Sequence, residues 1–262
     1  MSQVAGTDRT KAAPPDPLAP AVILVAPQLA MNIGTTARAM ANCGFYDLRI
    51  VNPKPKWPNE LSRRASSGAQ GILDEARICA STSEAIADLT RVYATTGRSR
   101  RMTKRIVTPR QAALEVRTAH GQGEKTGFLF GPERTGLEND DLALADALIS
   151  VPLNPAFASL NLAQSVLLVG YEWFQAGDRT PASRLASGDS PPATKEQLEI
   201  FFQHLERELD HCGFLRVADK RPTMVRNLRN IFQRASLTDQ EVRSLHGVVA
   251  ELVRGPRGGV RS

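Results

Sequence analysis

Short apolar runs alternate with amphipathic stretches over the first two thirds of the chain, and amphipathic helices fill the last third. Residues 21–26 (AVILVA) read as a buried strand and 27–30 as a loop. A helix capped by Asn32 follows through about residue 42, with Gly44 as its stop. A strand over 47–51 completes a βαβ unit. Pro53, Pro55 and Pro58 break the chain before a short helix at 60–66, and Gly68 and Gly71 mark turns. A short strand at Ile78 and Cys79, a helix at 83–89 and a strand at 91–95 continue the alternation. The fold class predicted is therefore α/β with a mainly parallel sheet. A helix over 109–118 and a polar loop over 120–125 lead to two more buried runs, 128–130 and 148–151.

The stretch 162–174 is apolar almost all round. Its strongly polar residues are Gln164, Ser165 and Glu172, so the helix needs cover on two sides. Ser159 is read as its N-cap, which puts the amides of Leu160 and Asn161 at the exit of the preceding loop. Residues 177–192 (GDRTPASRLASGDSPP) have the composition of a flexible linker. Beyond it, Thr194 and Gln197 form a capping box ahead of Leu198, Phe201, Phe202, Leu205 and Leu209 on one helical face. A second helix over 223–234 is expected to bury Val225, Leu228, Ile231 and Phe232. A third, capped by Thr238 and Glu241, is expected to turn Val242, Leu245, Val249 and Leu252 inward. The organisation predicted is a disordered tail (1–20), an α/β domain (21–176), a linker (177–192), a helical module (193–254) and a second disordered tail (255–262).

Composition narrows the partners. The 33 Lys and Arg exceed the 27 Asp and Glu, and the net charge of +6 favours a polyanion without identifying one. Cys43, Cys79 and Cys212 have no zinc-like spacing, and their odd number argues against a disulfide framework, so a reducing, cytoplasmic setting is expected. His120, His204, His211 and His246 match no metal pattern, and no metal is expected. No apolar run reaches the ~18 residues a membrane span requires, and the first residues lack an export signal's apolar core.

The loops after the buried runs carry the chemistry. In Gly131-Pro132-Glu133-Arg134-Thr135-Gly136, two glycines bracket a turn that lets the backbone approach a ligand, with one carboxylate beside it. Leu137 and Glu138 stand where a phosphate-binding P-loop needs Lys and Ser or Thr, so a triphosphate site is disfavoured. A dinucleotide fold is disfavoured as well, because Gly34 lacks the partner glycines of that fingerprint. Between 97 and 110 lie Arg98, Arg100, Arg101, Lys104, Arg105 and Arg110 with no acid among them. The run reads either as a solvated loop or as a phosphate-binding one, and its place at the carboxyl end of a strand favours the second.

Three segments together resemble the motifs of the SPOUT RNA methyltransferases: Asn32-x-Gly34-x-x-Ala37-Arg38, Phe130-Gly131-Pro132-Glu133-x-x-Gly136-Leu137, and Ser159-Leu160-Asn161-Leu162-Ala163. The resemblance covers about residues 21–175. Thr95 to Arg100 and the helical extension are similar to the TrmJ-type branch, which methylates a ribose in the tRNA anticodon loop. The resemblance implies a C-terminal trefoil knot, S-adenosyl-L-methionine as cofactor, and 2'-O-methylation of cytidine or uridine 32 of tRNA. Two other readings stand beside it, a ribosomal RNA target and a non-catalytic RNA-binding protein that keeps the fold. It assigns Arg38, Glu133 and Asn161 to catalysis, and Thr95, Thr96, Gly97, Gly131, Val151, Ser159, Leu160 and Asn161 to the cofactor pocket. RNA contacts fall to Arg98, Arg100, Arg101, Lys104 and Arg105, with the helical module helping to dock tRNA. It also implies a homodimer through the knot helices, which would supply the second cover of the 162–174 helix.

Overall fold

Alternation along the strands sorts the core into two layers. The computed structural model describes residues 14–97, 102–183 and 189–255, and their strands join one seven-stranded sheet. These are β1 (Ala21–Val25), β2 (Leu48–Val51), β3 (Arg77–Cys79), β4 (Arg91–Thr95), β5 (Ile106–Val107), β6 (Thr126–Phe130) and β7 (Ala147–Ile149). All the pairings are parallel. Val22, Leu24, Phe128, Phe130 and Ile149 face one core, and Ala21, Ile23, Leu129 and Leu148 face the other. A strand buried on both faces has no polar side to show, which is why these segments read as continuous apolar runs.

The first core is closed by α1 (Ala30–Asn42), α5 (Pro109–Gly121) and α7 (Leu162–Gly177), the second by the short helices α4 (Thr82–Ile86) and α6 (Asn139–Ala143). Two further short helices, α2 (Glu60–Ala65) and α3 (Gln70–Asp74), follow β2. Gly34 in α1 lies so close to α2 that an added Cβ would stand 2.1 Å from the Ser62 carbonyl oxygen. The motif glycine is thus a packing position in this fold.

Strand order is β3-β2-β1-β6-β4-β7-β5. The last two strands of the chain lie inside the sheet, β6 between β1 and β4, and β7 between β4 and β5. The chain forms two compact units that meet in sequence at Thr180 and Pro181. The second unit holds α8 (Lys195–His211), α9 (Arg221–Arg234) and α10 (Asp239–Arg254), packed through Leu198, Phe201, Phe202 and Val242. Thr194 with Gln197 and Thr238 with Glu241 form the capping boxes expected of them. No helix of the described residues is long and apolar enough to cross a membrane.

Several expectations need correction. Asn32 does not cap α1; the helix starts at Ala30, and Asn32 is buried in its first turn. Strand β5 lies within the basic stretch, where two apolar residues are too short a run to show a period; α3 spans Gly71, read as a turn, and α6 lies in a segment for which no element is expected. In the second unit Ile231 and Leu252 are exposed, because α9 and α10 each turn a narrower apolar stripe inward than their composition suggests. Asp16, in the expected N-terminal tail, is tied to His120 at 2.7 Å. Residues 1–13, 184–188 and 256–262, which take in most of both tails and the middle of the linker, lie outside the described residues.

Arg105 closes a polar cluster over β4 and α5. Its guanidinium donates to both Glu115 oxygens at 2.7 Å, and the Tyr93 hydroxyl donates to Oε2 at 2.7 Å. Arg105, chiefly, holds the Glu115 carboxyl at about 2, below its ordinary 4.5, while burial first and Glu115 second push the Tyr93 phenol up to about 12. A carboxyl whose folded pKa is depressed stabilises the fold fully above its unfolded pKa and loses that contribution as pH falls through the folded value. Thermal denaturation should therefore show Glu115→Gln destabilised by on the order of 1 kcal/mol at neutral pH. The deficit should shrink between pH 4.5 and about 2, the interval between the two values. A deficit that is the same at both ends of that interval contradicts the assignment.

Candidate active site

Because the strands are parallel, the carboxyl ends of the neighbours β6, β4 and β7 share one edge of the sheet, where α/β folds collect their ligands. The loops leaving those three ends enclose a cavity of about 430 Å³, within the range of small-molecule sites. Thr95, Thr96 and Gly97 come to it from β4, Gly131 from β6 and Val151 from β7. Ser159 and Leu160 close it from the segment that enters α7. Residues named from four separate stretches of sequence thus line one space. Gly131 is required there by close approach, since an added Cβ would stand 2.2 Å from the Leu137 amide nitrogen. The loop folds back on itself, and Gly136 closes the turn at φ +67°.

A hydrogen-bonded chain joins the three motif segments beside the cavity. Glu133 Oε2 accepts from the Gln28 amide at 2.9 Å, and Oε1 accepts from the Leu29 amide at 3.3 Å and from Asn32 Nδ2 at 2.7 Å. Asn32 Oδ1 in turn accepts from Asn161 Nδ2 at 3.0 Å. Asn161 Oδ1 accepts from the Ala163 amide at 2.9 Å, and the Gln164 side chain accepts from the Asn161 amide at 3.1 Å. Asn161, and not Ser159, is therefore the N-cap of α7. The capping box Asn161–Gln164 has the spacing such a box requires, and Ser159 lies two residues upstream of it. Glu133 also places a negative charge at the entry to α1, where the helix dipole favours one. Asn32 is the linking residue that its reading as a cap concealed.

The other named residues lie elsewhere. Arg38 is exposed on α1 and does not line the cavity of its own chain. Lys104 donates to the Ala143 carbonyl at 2.7 Å and to that of Ala145, at the C-terminal end of α6, and Arg105 is bound to Glu115. Both are committed within the fold. Arg98, Arg100 and Arg101 lie outside the described residues. Among the described residues the cavity wall contains no Cys, His, Lys or Asp. Backbone amides, carbonyls and hydroxyls converge there instead, which suits holding a small polar molecule in a fixed pose.

Residues 19–171 match the model of the SpoU rRNA Methylase family, and residues 196–259 match that of the tRNA methyltransferase TrmJ C-terminal domain. The chain is 33% identical over 242 residues to the tRNA (cytidine/uridine-2'-O-)-methyltransferase TrmJ of Klebsiella pneumoniae, covering 90% of this chain and 97% of that protein. It is 35% identical over 235 residues to the protein of the same name from Yersinia pestis (strain Pestoides F), covering 88% and 90%. Among solved structures, that of TrmJ from Z. mobilis ZM4 is 47% identical with a TM-score of 0.77, covering 89% of this chain and 99% of that one.

If the Asn32–Asn161 bond couples two motif segments, its two halves are not independent. Asn161→Ala should destabilise the first unit by about 1 kcal/mol in urea unfolding, the usual cost of a lost N-cap. The double variant with Asn32→Ala should cost less than the sum of the single changes. Strict additivity would show that the two side chains act separately.

Proposed function

The chain belongs to the SpoU rRNA Methylase family, and from that premise we propose that it methylates the 2'-oxygen of a ribose in tRNA, with S-adenosylmethionine as methyl donor. The observation that carries this is the cavity at the ends of β6, β4 and β7, lined by Gly131, Ser159 and Leu160 of two of the three motif segments. Its volume and its polar backbone wall fit the donor, and the absent Cβ of Gly131 keeps the space open. Bound there, S-adenosylmethionine supplies a sulfonium methyl group that an attacking oxygen can take. A tRNA target is favoured over ribosomal RNA by the TrmJ C-terminal match over 196–259 and by relatives named for tRNA. Cytidine or uridine 32 of the anticodon loop is the nucleotide proposed, and the cytoplasm the place. The non-catalytic alternative is disfavoured because Arg38, Glu133 and Asn161 are all present.

A guanidinium stays protonated and is no base. Arg38 is assigned instead to orienting the ribose hydroxyl and stabilising negative charge on its oxygen as it attacks, with the proton passing to water or phosphate. Glu133 and Asn161 position the loops through Asn32. Since Arg38 does not line its own cavity, the arginine that serves a given site comes from a second copy. The surface for that copy is the outer side of α7, where Leu167, Leu168, Tyr171 and Phe174 are 40%, 37%, 53% and 45% exposed. Val169, on the opposite side of the helix, is buried in the core at 1%. A trefoil knot in the last part of the first unit is consistent with β6 and β7 lying between earlier strands, and the helical second unit is assigned to tRNA docking.

Mapping of 2'-O-methyl groups on tRNA and ribosomal RNA incubated with the protein and S-adenosylmethionine tests the reaction. Modification of ribosomal RNA alone, or of neither, rejects the tRNA assignment. Arg38→Ala should bind the donor as the wild type does in calorimetry and lose about a hundred to a thousandfold in single-turnover rate; a near-normal rate removes Arg38 from the chemistry. Tyr171→Glu should turn a dimer into monomers in light scattering, because an unpaired carboxylate cannot be buried without several kcal/mol of cost, ~3–5. A wild-type protein that is monomeric and fully active rules out the shared site.

A further inference from the structure

Two charged side chains of the described residues line the cavity, and one of them is engaged. Glu133 turns its oxygens to the Gln28 and Leu29 amides and to Asn32. Arg134, the next residue, lines the same cavity, is exposed, and has no ion pair or hydrogen bond among the described residues. The wall therefore carries one guanidinium that its acidic neighbour does not neutralise. S-adenosylmethionine is itself a net cation, with a sulfonium and an ammonium against one carboxylate. A fixed positive charge beside it opposes binding unless it meets that carboxylate. A guanidinium suits the task, because its planar paired N–H groups match the two oxygens of a carboxylate.

On the reading of this cavity as the donor site, we infer that Arg134 binds the α-carboxylate of S-adenosylmethionine and selects a donor that carries an intact amino-acid end. The shape of the turn supports the assignment. Gly136 donates its amide to the Pro132 carbonyl at 2.8 Å, so the loop is closed beneath Arg134, and the side chain projects from a fixed backbone.

The test is calorimetry on the full chain with S-adenosylmethionine and with its decarboxylated analogue. The wild type should prefer the carboxylated donor by roughly tenfold to a hundredfold, the range of one charge-assisted pair. Arg134→Ala should bring that preference close to one by weakening only the carboxylated donor, and Arg134→Lys should keep part of it. The inference is overturned if Arg134→Ala discriminates as well as the wild type. It is also overturned if both donors bind Arg134→Ala as they bind the wild type while the salt dependence of tRNA binding falls, which assigns the guanidinium to an RNA phosphate. Failure of the wild type to bind either donor overturns the cofactor reading, and this inference with it. An unchanged melting temperature for Arg134→Ala, expected of an exposed side chain without partners, excludes misfolding as the cause of a lost preference.

Discussion

The bond chain from Glu133 through Asn32 to Asn161 is the constraint on which the site depends. Ala26 leaves β1 with φ +45°, a left-handed conformation that costs a residue with a Cβ roughly 1–2 kcal/mol. The chain can turn there because the next amides, those of Gln28 and Leu29, are held by Glu133 from a loop more than a hundred residues away. Asn32 then passes the connection to Asn161, whose other atoms cap α7. One carboxylate thereby fixes the entry of α1, the loop after β6 and the start of α7. An acid in a cavity wall can be read as a catalyst, but here its acceptor sites are occupied by the scaffold. Its contribution is to hold the surrounding groups in one geometry before any ligand arrives.

The order of the strands sets what that chain has to join. Were β6 and β7 appended at an edge in order of synthesis, the Gly131 loop would lie far from β1. Inserted between β1 and β4, β6 brings Glu133 beside the β1–α1 turn, and β7 delivers Val151 and the approach to α7 next to Thr95. Long-range insertion of this kind closes large loops early and rewards them late. The close approach at Gly131 is part of the same economy of space: the loop doubles back tightly enough that a methyl group would meet the backbone of Gly136 and Leu137.

The parts legible in the sequence were those set by local rules. Continuous apolar runs gave the interior strands within a residue or two, and the capping boxes at Thr194 and Thr238 marked α8 and α10. Motif residues could be named without knowing that β6, β4 and β7 are neighbours. What escaped was whatever depends on a distant partner. Asn32 sits within the first turn of α1, where Glu133 secures that helix's entry from another loop, and no local pattern reports it. Lys104 and Arg105 read as free cations because the carbonyls of Ala143 and Ala145 and the carboxylate of Glu115 that hold them come from α6, the turn after it and α5. Val169 and Leu168 adjoin in sequence, yet helical geometry sends one into the core and the other outward.

Those pairings also change the meaning of the net charge. Arg49, nearly fully buried, is bound to Asp47 and Asp88, and removing both acids would leave an unpaired charge in the core. Arg91 is paired with Glu124, Arg221 with Asp210, and Arg229 with Glu199 and Glu206. Such pairs at or near the surface add little stability, but they cancel long-range field. The cations with no carboxylate partner among the described residues include Arg38, Lys54, Lys56 and Arg134 in the first unit, and Arg226 and Arg234 in the second. Lys54 and Lys56 follow β2, whose carboxyl end lies on the same sheet edge as the cavity. A polyanion responds to this residual pattern and not to the formal total, so the surplus of +6 acts through a few uncompensated side chains near the sheet's functional edge and on α9.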